Sequence, residues 1–98
     1  MTDKNIIIKN FVDYINKNDG NASEWYTGIA SDPKDRLNQH NATSSRWIYD
    51  DAGSAEIARS IEKHMTDTIK TKGGGGGGDD NSTWVYCYKI TSSTKEDA

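Results

Sequence analysis

Residues 24–40, EWYTGIASDPKDRLNQH, carry the strongest structural signals of the sequence. Its first seven residues are mostly aromatic, β-branched or small, a composition that predicts a core strand. Gly28, inside that strand, indicates that another group passes close to the backbone. Asp32 stands immediately before Pro33, an order typical of the capped start of a helix. We therefore expect a strand that runs directly into a short helix over roughly residues 33–40.

Two polar side chains of the predicted helix form the first candidate functional pair. Arg36 and His40 are four residues apart, so they project from one helix face beside the C-terminal end of the strand. Each residue also has a simpler interpretation. Arg36 could form an exposed ion pair with Asp32, worth about 0–1 kcal/mol. His40 could simply interact favourably with the helix dipole near the C-terminus of the helix.

Two further helices are predicted from apolar periodicity. The first covers residues 4–17, although the three consecutive isoleucines 6–8 would also suit a strand. The second begins with Ser54 as its N-cap and ends near Lys72. Glu62 lies on or beside the apolar stripe of this helix. A half-buried carboxylate needs a partner, and Arg59, three residues earlier, is the simplest one.

The last third of the chain contains its clearest strand, residues 83–90, which we expect to pair with the strand at 24–30. Residues 46–49 suit either a strand or a packed loop. The glycine-rich segment 73–82 lacks the Gly-Lys-Ser/Thr ending of a phosphate loop and is predicted to be a flexible loop. The polar tail, residues 92–98, is expected to fray.

The length of 98 residues predicts one domain, residues 1–98, of the α+β class. It would have a short central sheet flanked by helices, with an extra N-terminal helix and a C-terminal strand. The formal net charge is −3, so any nucleic-acid site must be a local patch. The single cysteine, Cys87, excludes an intramolecular disulfide and is predicted to be a buried thiol. No signal peptide or membrane span is readable, so a cytoplasmic protein without membrane contact is expected.

The strand and helix of residues 25–40 resemble the second half of the GIY-YIG nuclease signature. In that family a strand with Tyr-x-Gly runs into a capped helix. The helix carries an arginine about eight residues after the glycine and often a histidine one turn later. The matching residues here are Tyr26, Gly28, Arg36 and His40.

A second part of the resemblance lies in the long helix, where residues 61–65, IEKHM, are similar to the family segment with the catalytic glutamate, here Glu62. The resemblance covers about residues 25–65. The family's upstream Gly-Ile-Tyr strand is absent, and a predicted helix and an Asn-rich turn stand in its place. The resemblance therefore implies that Tyr86 or Tyr88 of the C-terminal strand supplies the missing tyrosine through a permuted strand order.

The resemblance implies a metal-dependent endonuclease that hydrolyses phosphodiester bonds of DNA. Glu62 would hold Mg²⁺ or Mn²⁺, and Arg36 would stabilise charge on the phosphate. Tyr26, with Tyr86 or Tyr88, would orient or deprotonate the attacking water, and His40 would assist proton transfer. Contacts to the substrate are expected from three further residues: Trp25, Gly28 and Lys34.

Two other functions remain open from the sequence. The first is a catalytically degenerate member of the same fold that binds nucleic acid or a protein partner. Trp25, Trp47 and Trp84 would then offer a stacking or contact surface. The second is a structural accessory protein in which the glycine loop only tethers the last strand. The oligomeric state cannot be read from the sequence.

Overall fold

The computed structural model describes residues 4–18, 20–42, 46–73 and 82–95. The helices and strands are α1 Lys4–Asn18, β1 Trp25–Ala30, α2 Pro33–Gln39, β2 Trp47–Asp51, α3 Ala55–His64, β3 Lys72–Gly73 and β4 Trp84–Lys89. A 3-10 turn, Ala22–Glu24, leads into β1, and a π-helical turn, Met65–Ile69, extends α3. The predicted α+β class is confirmed. Within the described ranges, no helix combines the length and apolar character needed to cross a bilayer.

The structure decides two elements that the sequence left open. The N-terminal segment is a helix, because helical spacing buries Ile7, Phe11 and Ile15 on one face. The segment after Arg46 is a strand, β2. The predicted start of α2 is also confirmed, since the Asp32 side chain accepts a hydrogen bond from the Asp35 backbone N–H at 3.2 Å.

The helix that begins after Ser54 ends earlier than the predicted Lys72. Its start is as expected, with the Ser54 hydroxyl accepting from the Ile57 backbone N–H at 3.2 Å. At its end Lys70 adopts a left-handed conformation with φ of 75°, which stops the helix. The next residues then pair with β1 as the short parallel strand β3, which the sequence did not predict.

The four strands within the described residues form one sheet in the order β2-β4-β1-β3. β1 and β4 are antiparallel, which confirms the predicted pairing. In this register Tyr26 lies opposite Tyr88, Gly28 opposite Tyr86, and Ala30 opposite Trp84. β2 pairs with the other edge of β4. The last strand of the chain therefore lies inside the sheet, between two earlier strands.

The two faces of the sheet carry different sets of buried side chains. On one face, apolar residues of α1 and α3 pack against Trp25, Ile29, Val85 and Cys87. On the other face, Leu37 of α2 packs with Tyr86, Tyr88 and the half-buried Tyr26. Cys87 is fully buried, as predicted, and its burial raises the pKa of the thiol to about 12.

Residues 92–95 of the predicted frayed tail form hydrogen bonds with the end of α2 and the residue after it. The Lys95 backbone N–H donates to the His40 carbonyl at 2.6 Å, and Asn41 Nδ2 donates to the Ser93 carbonyl at 2.8 Å. These hydrogen bonds, together with the buried Thr94, hold the segment against the end of α2. Residues 96–98 and residues 74–81 of the predicted glycine loop lie outside the described residues.

Candidate active site

The pairing of β1 with β4 brings three tyrosines to one face of the sheet. Residues directly opposite each other in an antiparallel pair share a face, and Tyr26 lies opposite Tyr88. The centroid of the Tyr26 ring is 5.3 Å from that of Tyr88 and 6.5 Å from that of Tyr86. A strand from the end of the chain thus places tyrosines beside the Tyr-x-Gly strand.

Gly28 allows the Tyr86 side chain to lie across β1. A Cβ atom at this position would overlap the Tyr86 hydroxyl and would stand 2.6 Å from Tyr86 Cζ. The glycine is therefore required by the close approach of a side chain, as its place in the strand predicted. No other residue type leaves the Tyr86 hydroxyl where it is.

His40 forms a hydrogen bond with the Tyr86 hydroxyl, at 2.9 Å from its Nε2 atom. Its other ring nitrogen, Nδ1, lies 2.6 Å from the Lys95 carbonyl oxygen. A carbonyl oxygen can only accept, so Nδ1 carries a proton and donates it. In the neutral imidazole Nε2 is then an acceptor, and the Tyr86 hydroxyl donates to it. The fully buried ring of His40 is thus oriented from both sides.

Arg36 of α2 reaches the same hydroxyl from another direction. Its guanidinium forms a hydrogen bond with the Tyr86 side chain, and Arg36 Nη1 also donates to Gln39 Oε1 at 2.7 Å. Gln39 Nε2 in turn donates to Asp35 Oδ2 at 2.8 Å. Arg36 also lines a groove of about 280 Å³ formed by the end of β1, the start of α2 and Ser82. The guanidinium is therefore anchored on one side and borders open space.

The surroundings of Tyr86 keep its hydroxyl neutral. The pKa of Tyr86 is raised to about 12, chiefly by burial and to a smaller extent by the negative charges that Tyr26 and Glu62 can carry. The hydrogen bond and the positive charge of Arg36 act in the opposite direction. The hydroxyl is consequently protonated near neutral pH and can act as a base only if another group takes its proton. His40 Nε2 is in position to do so.

Glu62 lies close enough to Tyr86 for its charge to affect the pKa of the tyrosine. Its carboxylate is half-buried, as predicted, and burial raises the pKa of Glu62 above its ordinary value. The positive charge of Arg59 partly offsets this effect. A divalent cation beside the carboxylate would also favour its ionised form.

The residues present fit a metal held by one protein carboxylate. In the part of the chain that the structure describes, no cluster of three or more His, Cys, Asp or Glu side chains could hold a metal ion. Mg²⁺ is commonly bound through one or two carboxylates, with water filling the other positions, and Mn²⁺ accepts the same oxygen ligands. Glu62 is the carboxylate that could hold such an ion next to Tyr86.

The raised pKa of Glu62 predicts that Glu62→Gln stabilises the fold at neutral pH. The folded state favours the protonated carboxyl, so this contribution to stability is present below the ordinary pKa of 4.5. It is lost as the pH rises through the raised pKa. Near pH 7 we expect Glu62→Gln to increase the free energy of unfolding by less than about 1 kcal/mol, because solvent screens a half-exposed group.

Urea unfolding at about pH 7 and about pH 4 tests this prediction. The increase in the free energy of unfolding that Glu62→Gln produces should be smaller at the lower pH, where the Glu62 carboxyl of the parent is protonated. Asp67→Asn, which neutralises an exposed carboxylate on the π-helical turn, is the matched control. A Glu62→Gln protein that is less stable than the parent at pH 7 would contradict the stated cause of the shift.

The structure brings most of the predicted site residues together around the Tyr86 hydroxyl. These residues are Tyr26, Gly28, Arg36, His40, Tyr86 and Tyr88, and the charge of Glu62 also affects the Tyr86 hydroxyl. Their chemical roles stay predictions. The sequence missed the Lys95 carbonyl, because a backbone contact across 55 positions leaves no sequence signal. It also missed Gln39, whose spacing of three residues from Arg36 on one helix could have revealed the contact.

Two predicted substrate contacts lie elsewhere. Trp25 is fully buried on the opposite face of the sheet, where its ring packs against Tyr14 with centroids 5.6 Å apart. The prediction that Trp25 contacts substrate does not agree with this burial, because no ring surface is open to a ligand. Lys34 is exposed and lines a second groove, beside Tyr49 and Trp84.

Comparison with known families agrees with the geometry. The family model of the GIY-YIG catalytic domain matches residues 10–96. The matched range includes β1, α2, α3 and β4, which carry the side chains described above. No curated protein and no solved structure matches the chain significantly.

Proposed function

Because this chain belongs to the GIY-YIG superfamily, we propose that it is a metal-dependent endonuclease that hydrolyses phosphodiester bonds of DNA. The observation that carries the proposal is the position of one hydroxyl, that of Tyr86. It is bonded both to His40 Nε2 and to the Arg36 guanidinium, and Arg36 in turn lines an open groove. General-base catalysis at a phosphate requires such a juxtaposition of a proton acceptor and a fixed cation.

The proton path runs from water through Tyr86 to His40. The attacking water gives a proton to the Tyr86 oxygen as the phenolic proton moves to His40 Nε2. The hydroxide formed attacks phosphorus, and the bond between phosphorus and the leaving oxygen breaks. The Lys95 carbonyl, which accepts from Nδ1, stabilises the resulting imidazolium. This relay avoids a free phenolate, which the pKa of about 12 at Tyr86 makes unfavourable.

Arg36 stabilises the charge that develops on the phosphate. A guanidinium presents parallel N–H donors to two phosphate oxygens, which an ammonium cannot do in the same way. The hydrogen bond from Arg36 Nη1 to Gln39 limits the rotation of the guanidinium before substrate arrives. Less reorganisation is then needed as the transition state forms.

Glu62 would hold the divalent metal, Mg²⁺ or Mn²⁺. The ion supplies positive charge at the leaving oxygen when it is bound. The contribution of this chain is the position of the Glu62 carboxylate, which is half-buried and close to Tyr86.

Nicking of supercoiled plasmid and of branched DNA in Mg²⁺ or Mn²⁺ tests the proposal. We expect Arg36→Ala to lower the rate roughly 10²–10³-fold, as loss of a charge-stabilising donor does in other enzymes. Glu62→Gln and addition of EDTA should also abolish detectable cleavage. The control is Lys9→Ala, which removes an exposed cation from α1 and should leave the rate unchanged.

Two results would contradict the proposal. One is a folded parent protein that cuts none of these substrates in either metal. The other is cleavage that persists in folded Arg36→Ala and Glu62→Gln proteins, which would point to a contaminating nuclease. The first result would favour a binding module for nucleic acid or protein on the same fold.

A further inference from the structure

Three aromatic rings lie side by side on β2 and the start of β4. The rings of Trp47 and Tyr49 are parallel within 4°, with centroids 5.3 Å apart. The Tyr49 ring then meets Trp84 edge-on, with centroids 5.6 Å apart. We call Trp47, Tyr49 and Trp84 the aromatic surface.

The aromatic surface belongs to the same sheet face as the candidate active site. Tyr49 lies opposite Tyr86, and Trp47 lies opposite Tyr88, so these side chains point to one side. Helix α2 packs on β1 and β4 on that side. The Trp47 side chain on the edge strand β2 keeps 37% of its surface exposed. The exposed part of the Trp47 ring is accessible to a ligand.

A groove lies beside Tyr49 and Trp84 of the aromatic surface. It has a volume of about 370 Å³. Its lining residues are Ser31, Asp32, Pro33, Lys34, Tyr49 and Trp84. Ser31 and Asp32 also line the groove that Arg36 borders, so the two grooves are adjacent. A polymer bound across Arg36 would therefore reach Trp84 and Tyr49.

We propose that the aromatic surface binds unpaired bases of a single-stranded segment of DNA next to the scissile phosphate. This inference rests on the proposed function, and it defines the substrate class as DNA with unpaired nucleotides beside the cleavage site. Bases stack on aromatic rings whatever their sequence, because every base has a π-face.

The charge of the chain favours stacking over phosphate contacts. With a net charge of −3, the protein gains little affinity for DNA from broad neutralisation of phosphates. The groove itself contains the acidic Asp32 beside the cationic Lys34. Lys34 can contact one phosphate, while the rings provide the remaining affinity.

Binding of a labelled single-stranded oligodeoxythymidylate in EDTA, followed by fluorescence anisotropy, tests the inference. We expect Trp84→Ala and Trp47→Ala each to weaken binding roughly 5- to 100-fold, the range that loss of one stacked base implies. Trp84→Phe should restore most of the affinity because it keeps an aromatic ring. Ile6→Ala, which truncates an exposed apolar side chain on α1, is the matched control and should bind like the parent.

Salt dependence gives a second readout. The logarithm of the binding constant should fall with the logarithm of salt concentration with a slope of about −0.7 per phosphate contacted. We expect the slope that corresponds to one or two phosphate contacts. The Lys34→Ala substitution should make this slope shallower. A steep slope with equal affinity for duplex and single strand would overturn the inference, because phosphate neutralisation would then dominate.

The outcomes separate this inference from the proposed function. Cleavage by the parent with unchanged oligonucleotide binding in Trp84→Ala and Trp47→Ala would retain the nuclease and overturn the aromatic surface. Binding that depends on both tryptophans in a parent without nicking activity would support the surface and contradict the nuclease. If the folded parent binds no oligodeoxythymidylate, the inference is overturned, and a protein becomes the better occupant. Circular dichroism of each variant establishes that it is folded.

Discussion

We expect Tyr86→Phe to lower the rate of DNA cleavage roughly 10²–10⁴-fold, the usual contribution of a positioned acid–base group. The substitution removes the hydroxyl that bonds His40 Nε2 at 2.9 Å and leaves the ring in its place. In the proposed relay, the attacking water would then lose its link to His40. Single-turnover cleavage of plasmid DNA at saturating enzyme measures this effect without a contribution from product release.

Tyr88→Phe is the matched comparison, because both tyrosines belong to β4 and both rings lie near Tyr26 and His40. Tyr86 lies opposite Gly28 and bonds His40, so we assign it the role that the sequence left between the two residues. The loss in Tyr88→Phe should stay within about 10-fold, well below the acid–base range. A larger loss in Tyr88→Phe than in Tyr86→Phe would reverse this assignment.

The second large effect is expected from Gly28→Ala, which should impair both stability and cleavage. The added methyl group would overlap the Tyr86 hydroxyl and force the ring away from His40. Overpacking of this kind costs about 1–3 kcal/mol. The cleavage rate should fall as far as it does in Tyr86→Phe, since the same hydrogen bond is lost. Urea unfolding and the nicking assay measure the two effects separately.

A double-mutant cycle identifies the cause of the Gly28→Ala effect. In a Tyr86→Ala background the overlapping ring is gone, so the same glycine substitution should become neutral or stabilising. A gain of about 0.5–1 kcal/mol is expected, because alanine loses less backbone entropy than glycine in a strand. Additive free energies in the two backgrounds would show that the destabilisation does not arise from contact with Tyr86.

Much of the candidate site was predictable because its parts are encoded locally. The capped start of α2 depends on Asp32 and Pro33, which are neighbours in sequence. The common face of Arg36 and His40 follows from helical spacing alone. The half-buried position of Glu62 follows from the apolar period of α3. Such signals need no knowledge of the rest of the chain.

Other features depend on contacts between distant segments. β3 forms only because Lys70 ends the preceding helix beside β1, and its two residues carry no strand pattern of their own. The segment 91–95 is ordered by hydrogen bonds to His40 and Asn41, although its polar composition is typical of a frayed end. Partners more than 50 positions away supply this order, so a local pattern could not predict it.

Trp25 and Tyr26 illustrate the difference between features that follow from the local sequence and features that depend on tertiary packing. Their adjacency in a strand already requires that the two rings point to opposite faces of the sheet, because strand side chains alternate. Nothing in the strand itself distinguishes the face that α1 and α3 cover from the face that Tyr86 and His40 share. The packing of helices from both sides decides it, burying Trp25 completely and leaving Tyr26 beside the groove-lining residues. The sequence therefore predicted most of the elements and the polar side chains that they carry, and the packing of distant segments decided which of these side chains meet.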